Sequence, residues 1–382
     1  MSRFALMAKP VGSLCNMSCH YCYYLHADNM QDFSTLRMKD DVLEEMIRAY
    51  LTSEQGNTYA ITWHGGEPTL AGIDFYEKAV ALEKKYLPSG KNLWNNIQTN
   101  GLLMNDEWCE FFERNHFDVG VSIDGTGFVH NTYRNDTSGK NTYEQSAKAV
   151  ALLKKHHINP DLLCTVTRET AENAKSVYAK LLSYHTGWIQ FIPIVRRTKD
   201  GSLTPDSVTP ELYGSFLKTV FKEWFFHDLG KANIQLFAET ALTLSGKNSN
   251  VCWMNETCGN VVVVEKDGTV YSCDHFVNQD HRLGNIMTDR LVNLVTGQKQ
   301  TDFGRNKRDS LSQECLSCQY LSLCHGCCPK DRFSINKDGE KQYFLCEGLK
   351  DFYDYAVPLL QKAMKLSARG YSSSEIMKIS GK

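Results

Sequence analysis

Of all the features of this sequence, the spacing of the cysteines places the strongest limit on how the chain can fold. The chain has 14 cysteines in 382 residues, with three of them between Cys15 and Cys22 and nine between Cys252 and Cys346. Such groups form disulfides in small secreted domains. This chain is longer, and its first residues contain no extended apolar segment that would predict export. Cysteine groups in cytosolic proteins more often bind metal, so we expect a cytoplasmic metalloprotein.

Between the two cysteine groups, short apolar runs alternate with amphipathic stretches. The apolar runs are Phe4–Ala8, Tyr59–Trp63, Leu93–Gln98, Asp118–Ile123, Asp161–Val166 and Trp188–Pro193. The amphipathic stretches are Asp40–Ser53, Phe75–Tyr86, Asp106–Asn115, Thr142–His156 and Glu172–Ser183. This alternation predicts a parallel β-sheet with helices packed outside it. Six such strands form either a partial barrel or a doubly wound sheet, and periodicity alone does not separate the two.

The charge of the chain is nearly balanced, with 42 Lys and Arg against 44 Asp and Glu. This balance gives no reason to expect nucleic acid or an anionic membrane as a partner. No apolar run is long enough to cross a bilayer, and the longest β-branched run is Val261–Val264. We therefore expect neither nucleic acid nor a membrane as a partner.

Polar or glycine-rich turns follow several of the predicted strands. They are His64–Pro68, Gln98–Gly101 and Ser122–Gly125. One such turn would be ordinary, because these residue types favour turns anywhere. Three at successive strand ends favour a ligand site, since α/β proteins bind ligands at the carboxyl ends of their parallel strands.

The first cysteine group has the spacing Cys15-x3-Cys19-x2-Cys22 and supplies three thiolates. A structural zinc site needs four protein ligands, so zinc would require a distant histidine. In a 4Fe–4S cluster, three cysteines leave one iron open. The amino and carboxylate groups of S-adenosylmethionine (SAM) can chelate that iron. Electron transfer to the sulfonium of SAM then releases a 5′-deoxyadenosyl radical, which abstracts a hydrogen atom from a substrate.

This motif, with the aromatic Tyr21 before its last cysteine, resembles the signature of the radical SAM superfamily. The resemblance implies a partial (β/α)6 TIM-like barrel and a set of SAM contacts. These contacts are Gly65, Gly66 and Glu67 for the amino group, Ser122 and Asp124 for the ribose and methionine parts, and Arg134 for the carboxylate. An ordinary surface position is the alternative for Arg134.

The second cysteine group offers eight well-spaced thiolates, enough for two further 4Fe–4S clusters. Zinc is the alternative, although zinc ribbons usually carry two Cys-x2-Cys pairs and this segment has one clean case. The run Cys315-x2-Cys318-x5-Cys324-x3-Cys328 resembles the SPASM domain of radical SAM enzymes that modify peptides. That resemblance assigns Cys252, Cys258, Cys273 and Cys328 to a first auxiliary cluster, and Cys315, Cys318, Cys324 and Cys346 to a second.

Three cysteines remain outside these assignments. Cys327 directly precedes Cys328, and the sequence leaves open which of the two is the ligand. Cys109 and Cys164 lie in a predicted helix and a predicted strand, where we expect ordinary buried core cysteines.

From about Leu6 to Leu360 the chain resembles the anaerobic sulfatase-maturating enzymes. The segments that carry the resemblance are Cys15–Tyr24, Gly65–Gly72, Gln98–Gly101, Cys252–Cys258 and Tyr271–Asp274. It implies oxidation of a cysteine or serine in a sulfatase, within a Cys/Ser-x-Pro/Ala-x-Arg motif, to Cα-formylglycine. It also implies SAM, three 4Fe–4S clusters and an electron donor such as flavodoxin or ferredoxin.

The same resemblance implies two catalytic residues. Asp274 resembles the general base of the family, and Tyr24 resembles a tyrosine near the reacting atoms. The alternative for Asp274 is an exposed aspartate of a loop or hairpin, and the alternative for Tyr24 is an aromatic residue that only packs against its neighbours. This chain has His64 where the family often has glutamine, so its role there is open.

We expect a radical SAM domain over residues 1–235, a SPASM domain over 236–365 and a flexible tail over 366–382. The hairpin Val261–Glu265 with Thr269–Ser272 is predicted to turn through a type I′ turn at Asp267-Gly268. Long helices are predicted over Pro210–Leu229 and near Leu349–Met364. The alternative function is another peptide modification of the SPASM type, such as a thioether crosslink on a ribosomal peptide.

Overall fold

The structure is a computed structural model that describes residues 4–24, 35–54 and 56–380. Within these ranges no helix is both long and apolar enough to cross a membrane. The strands are β1 (Ala5–Lys9), β2 (Thr58–Trp63), β3 (Asn92–Thr99), β4 (Asp118–Ser122), β5 (Asp161–Val166), β6 (Trp188–Pro193), β7 (Asn233–Ile234), β8 (Val261–Glu265), β9 (Thr269–Tyr271), β10 (Arg282–Asn285), β11 (Ser334–Ile335) and β12 (Lys341–Gln342).

The helices in the described residues fill the intervals between these strands and the end of the chain. They are α1 (Asp40–Leu51), α2 (Ile73–Tyr86), α3 (Asp106–Asn115), α4 (Gly127–Tyr133), α5 (Tyr143–Lys155), α6 (Arg168–Glu172), α7 (Ala174–Leu182), α8 (Pro210–Glu223), α9 (Gln235–Leu244), α10 (Leu291–Thr296), α11 (Gln298–Asp309), α12 (Gln313–Leu316), α13 (Leu321–Cys324), α14 (Cys346–Ser367) and α15 (Ser373–Ser380).

Helix α3 shows how the local sequence sets the ends of an element. The side chain of Asn105 accepts a hydrogen bond from the backbone N–H of Trp108 at 2.9 Å and so caps the first turn. His116 ends the helix in a left-handed conformation with φ of 55°. The apolar side chains between these ends share one buried face, as the helical period requires.

The chain folds into two compact units, each made of several segments. The first unit contains Met1–Ser122, Tyr133–Pro160 and Cys258–Asn306. The second contains Ile123–Thr132, Asp161–Thr257 and Lys307–Lys382. The segment 258–306, which the sequence analysis assigned to the C-terminal domain, therefore packs with the N-terminal strands.

In the first unit the strand order is β10-β9-β8-β1-β2-β3-β4. Strands β8, β1, β2, β3 and β4 are parallel, while β9 and β10 pair antiparallel at the edge. From β1 to β4 the spatial order follows the chain order. A doubly wound sheet would reverse direction, so this order is that of a sheet wound in one direction, as in a barrel.

The second unit contains the parallel strands β5, β6 and β7 and a core formed by α8 and α14. These two helices cross at two glycines. A methyl group on Gly348 would lie 1.9 Å from the carbonyl oxygen of Pro210, and one on Gly214 would lie 2.8 Å from the carbonyl oxygen of Gly348. Glycine is therefore needed at both positions for the two backbones to approach so closely.

Four details differ from the sequence-based predictions. The hairpin turn contains three residues, and only Gly268 has positive φ, so it is not a type I′ turn, which requires two such residues. The helix predicted over Glu172–Ser183 is present as α7, but it begins at Ala174, because Asn173 separates it from α6. The helix predicted to Leu229 changes to a π-helix at Trp224. The tail from residue 366 contains α15, because Ile376 gives that helix a buried apolar anchor.

Candidate active site

The three-cysteine motif lies in the loop that follows β1. The Sγ of Cys15 accepts a hydrogen bond from the backbone N–H of Met17 at 3.3 Å. Burial, followed by the nearby carboxylate of Glu67, raises the pKa of the Cys15 thiol to about 12. A thiolate at this position therefore requires a compensating positive charge, which a bound metal supplies.

Two glycines after β2 hold this loop in place. The N–H of Gly66 donates to the carbonyl of Gly12 at 2.8 Å, and that of Glu67 donates to the carbonyl of Leu14 at 2.8 Å. A methyl group on Gly66 would lie 2.0 Å from the Leu14 oxygen. Gly65 has φ of 129°, which side-chain-bearing residues rarely adopt. The turn thus packs directly, backbone to backbone, on the cysteine loop.

The carboxylate of Glu67 joins the turns that follow β2 and β3. It accepts hydrogen bonds from the N–H and hydroxyl of Thr69 at 3.1 and 2.6 Å, the hydroxyl of Thr99 at 2.7 Å and the N–H of Asn100 at 2.8 Å. Glu67 is 1% exposed, and burial raises its pKa. Its side chain is therefore engaged within the protein, and its assignment as a SAM contact stays a prediction.

Of the other predicted SAM contacts, two belong to the first unit and one belongs to the second. In the first unit, Ser122 accepts a hydrogen bond from Gln98 at 3.0 Å, and the guanidinium of Arg134 lies 5.4 Å from the ring centre of Tyr21. Arg134 is 7% exposed, which excludes the ordinary surface position considered for it. In the second unit, buried Asp124 accepts a hydrogen bond from the N–H of Thr165 at 2.8 Å.

Asp274 lies just after β9 in a cluster of polar groups of the first unit. The ammonium of Lys9 donates to one of its carboxylate oxygens, and the hydroxyl of Tyr23 donates to the other. Burial alone would raise the pKa of Asp274. The positive charge of Lys9 instead holds this pKa well below its ordinary value. Asp274 is therefore an ionised carboxylate that can accept a hydrogen bond or a proton.

Lys9 is the centre of this cluster and is fully buried. Besides Asp274, it contacts the Nδ1 of His64 at 3.2 Å, and its Nζ lies 4.4 Å from the ring centre of Tyr24. The hydroxyl of Tyr24 donates to Glu265 rather than to Asp274. Burial raises the pKa of Glu265 to about 7. Tyr24 thus joins the cluster through Lys9, while Tyr23 contacts the carboxylate directly.

Sequence reasoning missed Lys9, Tyr23 and Glu265. A lysine at the end of the apolar strand β1 is a signal that could have found Lys9, because a lysine is almost never fully buried without a partner. The strand register brings Lys9 and Glu265 together, since the two residues lie opposite each other where β1 pairs with β8. Nothing in the sequence distinguishes Tyr23 from Tyr24.

The cysteines of the proposed second auxiliary cluster lie together in the second unit. One cavity is lined by Cys315, Cys318, Cys324 and Cys346, and Cys327 lines it as well. Cys328 is not among its lining residues. Of the residues assigned to the first auxiliary cluster, Cys258 and Cys273 belong to the first unit, and Cys252 and Cys328 belong to the second.

The arrangement of the second-unit cavity fits an iron–sulfur cluster, which binds each thiolate to a different iron. Among the described residues, no three His, Cys, Asp or Glu side chains converge closely enough to hold a single metal ion. Cys109 and Cys164 are fully buried in the core, as predicted.

Two buried cations support the cysteine-bearing loops of the second unit. Lys307 donates to the backbone carbonyls of Cys252 and Trp253 at 3.0 and 2.9 Å, and also to that of Asn255. Arg332 donates to the carbonyls of Gly326, Lys307, His325 and Cys327 at 2.7, 2.6, 2.8 and 3.3 Å. These contacts fix the loop that carries Cys324 and Cys328 before any cluster binds.

We expect Arg332→Leu to lower the iron content of the anaerobically reconstituted protein by about four atoms per chain, from about twelve. The replacement leaves four backbone carbonyls without this donor, three of them in the loop between Cys324 and Cys328, so the second auxiliary cluster loses its preformed site. Iron and sulfide analysis measures the effect. Arg308→Leu is the matched control, because Arg308 is exposed and its guanidinium pairs with the exposed carboxylates of Glu256 and Asp309. An unchanged iron content in Arg332→Leu would contradict this role.

Comparison with known proteins agrees with this site. Residues 10–181 match the model of the radical SAM superfamily, and residues 252–319 match that of SPASM, an iron–sulfur cluster-binding domain. A serine-type anaerobic sulfatase-maturating enzyme of Bacteroides thetaiotaomicron is 39% identical over 390 residues, covering 98% of this chain and 94% of the relative. A cysteine-type enzyme of Clostridium perfringens is 34% identical over 364 residues, covering 94% and 98%.

A solved structure of anSMEcpe with bound AdoMet and the Kp18Cys peptide superimposes with a TM-score of 0.86 at 33% identity, covering 94% of this chain and 98% of that one. The fold and the cysteine motifs define a radical SAM enzyme with a SPASM domain, which confirms the predicted fold class. More narrowly, the chain belongs to the family of anaerobic sulfatase-maturating enzymes.

Proposed function

We propose that this chain oxidises a cysteine or serine of a sulfatase polypeptide to Cα-formylglycine. The observation that carries the proposal is Asp274, an ionised carboxylate held by Lys9, which is the last residue of the parallel strand β1 that leads into the three-cysteine loop. The relatives that cover nearly the whole chain are named for this activity. The substrate sequence is a Cys/Ser-x-Pro/Ala-x-Arg motif.

The residues present fit the cofactors that this reaction requires. Cys15, Cys19 and Cys22 hold the cluster that binds SAM. The auxiliary clusters take Cys252, Cys258, Cys273 and Cys328, and Cys315, Cys318, Cys324 and Cys346. When bound, SAM and its cluster supply a 5′-deoxyadenosyl radical that removes a hydrogen atom from Cβ, and the auxiliary clusters supply an acceptor for one electron.

The chain's own residues perform the remaining proton transfer. Oxidation of the serine hydroxymethyl group to an aldehyde removes one hydrogen atom, one proton and one electron. Asp274 accepts the proton from the hydroxyl or thiol, and Lys9 keeps that carboxylate ionised and oriented until then. With a cysteine substrate, hydrolysis of the resulting thioaldehyde releases sulfide. Tyr23 fixes the second oxygen of the carboxylate.

The experiment is an anaerobic assay of the protein with reconstituted clusters, SAM, a reductant and short peptides that bear Ser-x-Pro-x-Arg or Cys-x-Pro-x-Arg. We expect a mass loss of about two units for serine or about eighteen for cysteine, with 5′-deoxyadenosine appearing in step. Formation of 5′-deoxyadenosine without a change in either peptide would refute the substrate assignment. A ribosomal peptide crosslink would then be the function to examine.

Two further features belong to the same proposal. Reduction of the SAM cluster requires an electron donor, for which flavodoxin or ferredoxin has the appropriate chemistry. Thiolate-ligated clusters also require a reducing compartment, which supports a cytoplasmic location.

A further inference from the structure

The neighbours of His64 determine which of its two ring nitrogens carries the proton. The backbone N–H of Gly65 donates to its Nδ1 at 2.8 Å, and the Nζ of Lys9 lies 3.2 Å from the same atom. An ammonium group has no acceptor capacity, so Nδ1 must be the acceptor in both contacts. Burial, followed by the charge of Lys9, lowers the pKa of His64 to about 4, and the ring is neutral at physiological pH. A neutral imidazole that accepts at Nδ1 carries its proton on Nε2.

The Nε2–H group is available to a ligand. In the part of the chain that the structure describes, the hydrogen bonds of His64 are made by its backbone N–H, which donates to the carbonyl of Ala8, and by Nδ1. The side chain is half-buried rather than fully enclosed. His64 directly follows β2, at the same edge of the sheet as Lys9, and Lys9 in turn contacts Asp274.

His64 and Asp274 form a complementary pair around one cation. Both are bound by the ammonium of Lys9, which holds the imidazole ring and the acceptor carboxylate in one cluster. A hydroxyl group has one donor and two acceptor positions, so it can donate to Asp274 and accept from His64 together. A thiol is a weak donor and a weak acceptor, and it gains little from such a pair.

We propose that His64 is a specificity-determining residue, which donates from Nε2 to the side-chain oxygen of the substrate residue and so favours serine over cysteine. This inference rests on the proposed function and names the preferred substrate class at that site. Lys9 is the positioning residue, because its contact with Nδ1 fixes the tautomer that donates. A site built to hydrogen-bond a hydroxyl discriminates against analogues that cannot form the bond.

Binding of peptides to the fully reconstituted protein with SAM, without reductant, tests the proposal. The peptides are identical except for serine, cysteine or alanine at the reactive position, and calorimetry measures their Kd values. We expect the serine peptide to bind the unaltered protein about three- to tenfold more tightly than either of the others, as a net hydrogen bond provides. This difference disappears in His64→Leu and persists in His64→Gln, whose amide also donates.

The control is His227→Leu, which removes an exposed histidine far along the chain in the second unit and should leave all three Kd values unchanged. Equal binding of the three peptides by the unaltered protein, or an unaltered serine preference in His64→Leu, would overturn the inference. Failure of the unaltered protein to bind any of the peptides would instead refute the proposed function, so the two failures are distinguishable.

Turnover measurements provide a second test, because general misfolding would lower kcat/KM for both substrates and leave their ratio unchanged. In His64→Leu, we expect the ratio of kcat/KM for serine to that for cysteine to fall by up to about tenfold, while the cysteine value changes little. In His64→Gln, the ratio returns to within a few-fold of the original. A parallel loss for both substrates in His64→Leu would show that His64 supports the fold or Asp274 rather than selecting the hydroxyl.

Discussion

Asp274→Asn is expected to lower formylglycine formation by about two to four orders of magnitude, the usual contribution of a positioned general base. Asparagine has nearly the same size but cannot accept the proton from the hydroxyl or thiol of the substrate. Its amide also removes the carboxylate charge that pairs with the buried ammonium of Lys9. Mass spectrometry of the peptide product under anaerobic single-turnover conditions measures the loss.

A second readout separates the loss of a base from the loss of the fold. Reductive cleavage of SAM depends on the three-cysteine loop, so Asp274→Asn should still release 5′-deoxyadenosine and retain about twelve irons per chain. Asp280→Asn is the matched control, because Asp280 is exposed on the turn before β10. Formylglycine formation by Asp274→Asn at the rate of this control would exclude Asp274 as the base.

Cys15→Ala is expected to abolish 5′-deoxyadenosine formation completely and to remove about four of twelve irons per chain. With two cysteines left, the motif cannot hold three irons of a cluster and leave the fourth open for SAM. Iron analysis and chromatography of the SAM products measure the two effects together. The auxiliary clusters should remain, because their ligands lie elsewhere in the chain.

Cys109→Ala is the matched control for this variant. Cys109 is fully buried in α3 among apolar side chains, so its loss removes only packing and should leave twelve irons and full SAM cleavage. If Cys15→Ala retained 5′-deoxyadenosine formation, Cys15 could not be a ligand of the SAM cluster.

The parallel strands were predictable from the sequence because each is a short apolar run between turn-forming residues. Two of them, Asp161–Val166 and Trp188–Pro193, begin and end at the predicted residues. The end of helix α8 was not predictable in this way. It changes to a π-helix at Trp224, in a region where large aromatic side chains pack together, such as Phe221 against Phe225 and Phe237, and periodicity does not report such packing.

The candidate site was predictable only in part. Cysteine spacing and family resemblance named the cluster ligands and Asp274, since these motifs are local in sequence. The Lys9 contacts with His64 and Asp274 join residues 55 and 265 positions apart, and strand register creates them. The division into two units has the same cause, because β8 pairs with β1 and takes the segment around Cys258 and Cys273 into the first unit.

A serine peptide with deuterium at Cβ tests whether the hydrogen atom that the radical abstracts comes from that carbon. Under anaerobic turnover, the proposed reaction transfers one deuterium to 5′-deoxyadenosine for each aldehyde formed, because the hydrogen atom leaves Cβ as the first step. Mass spectrometry of both products gives the ratio. An aldehyde formed without deuterium in 5′-deoxyadenosine, or labelled 5′-deoxyadenosine without any aldehyde, would contradict the account.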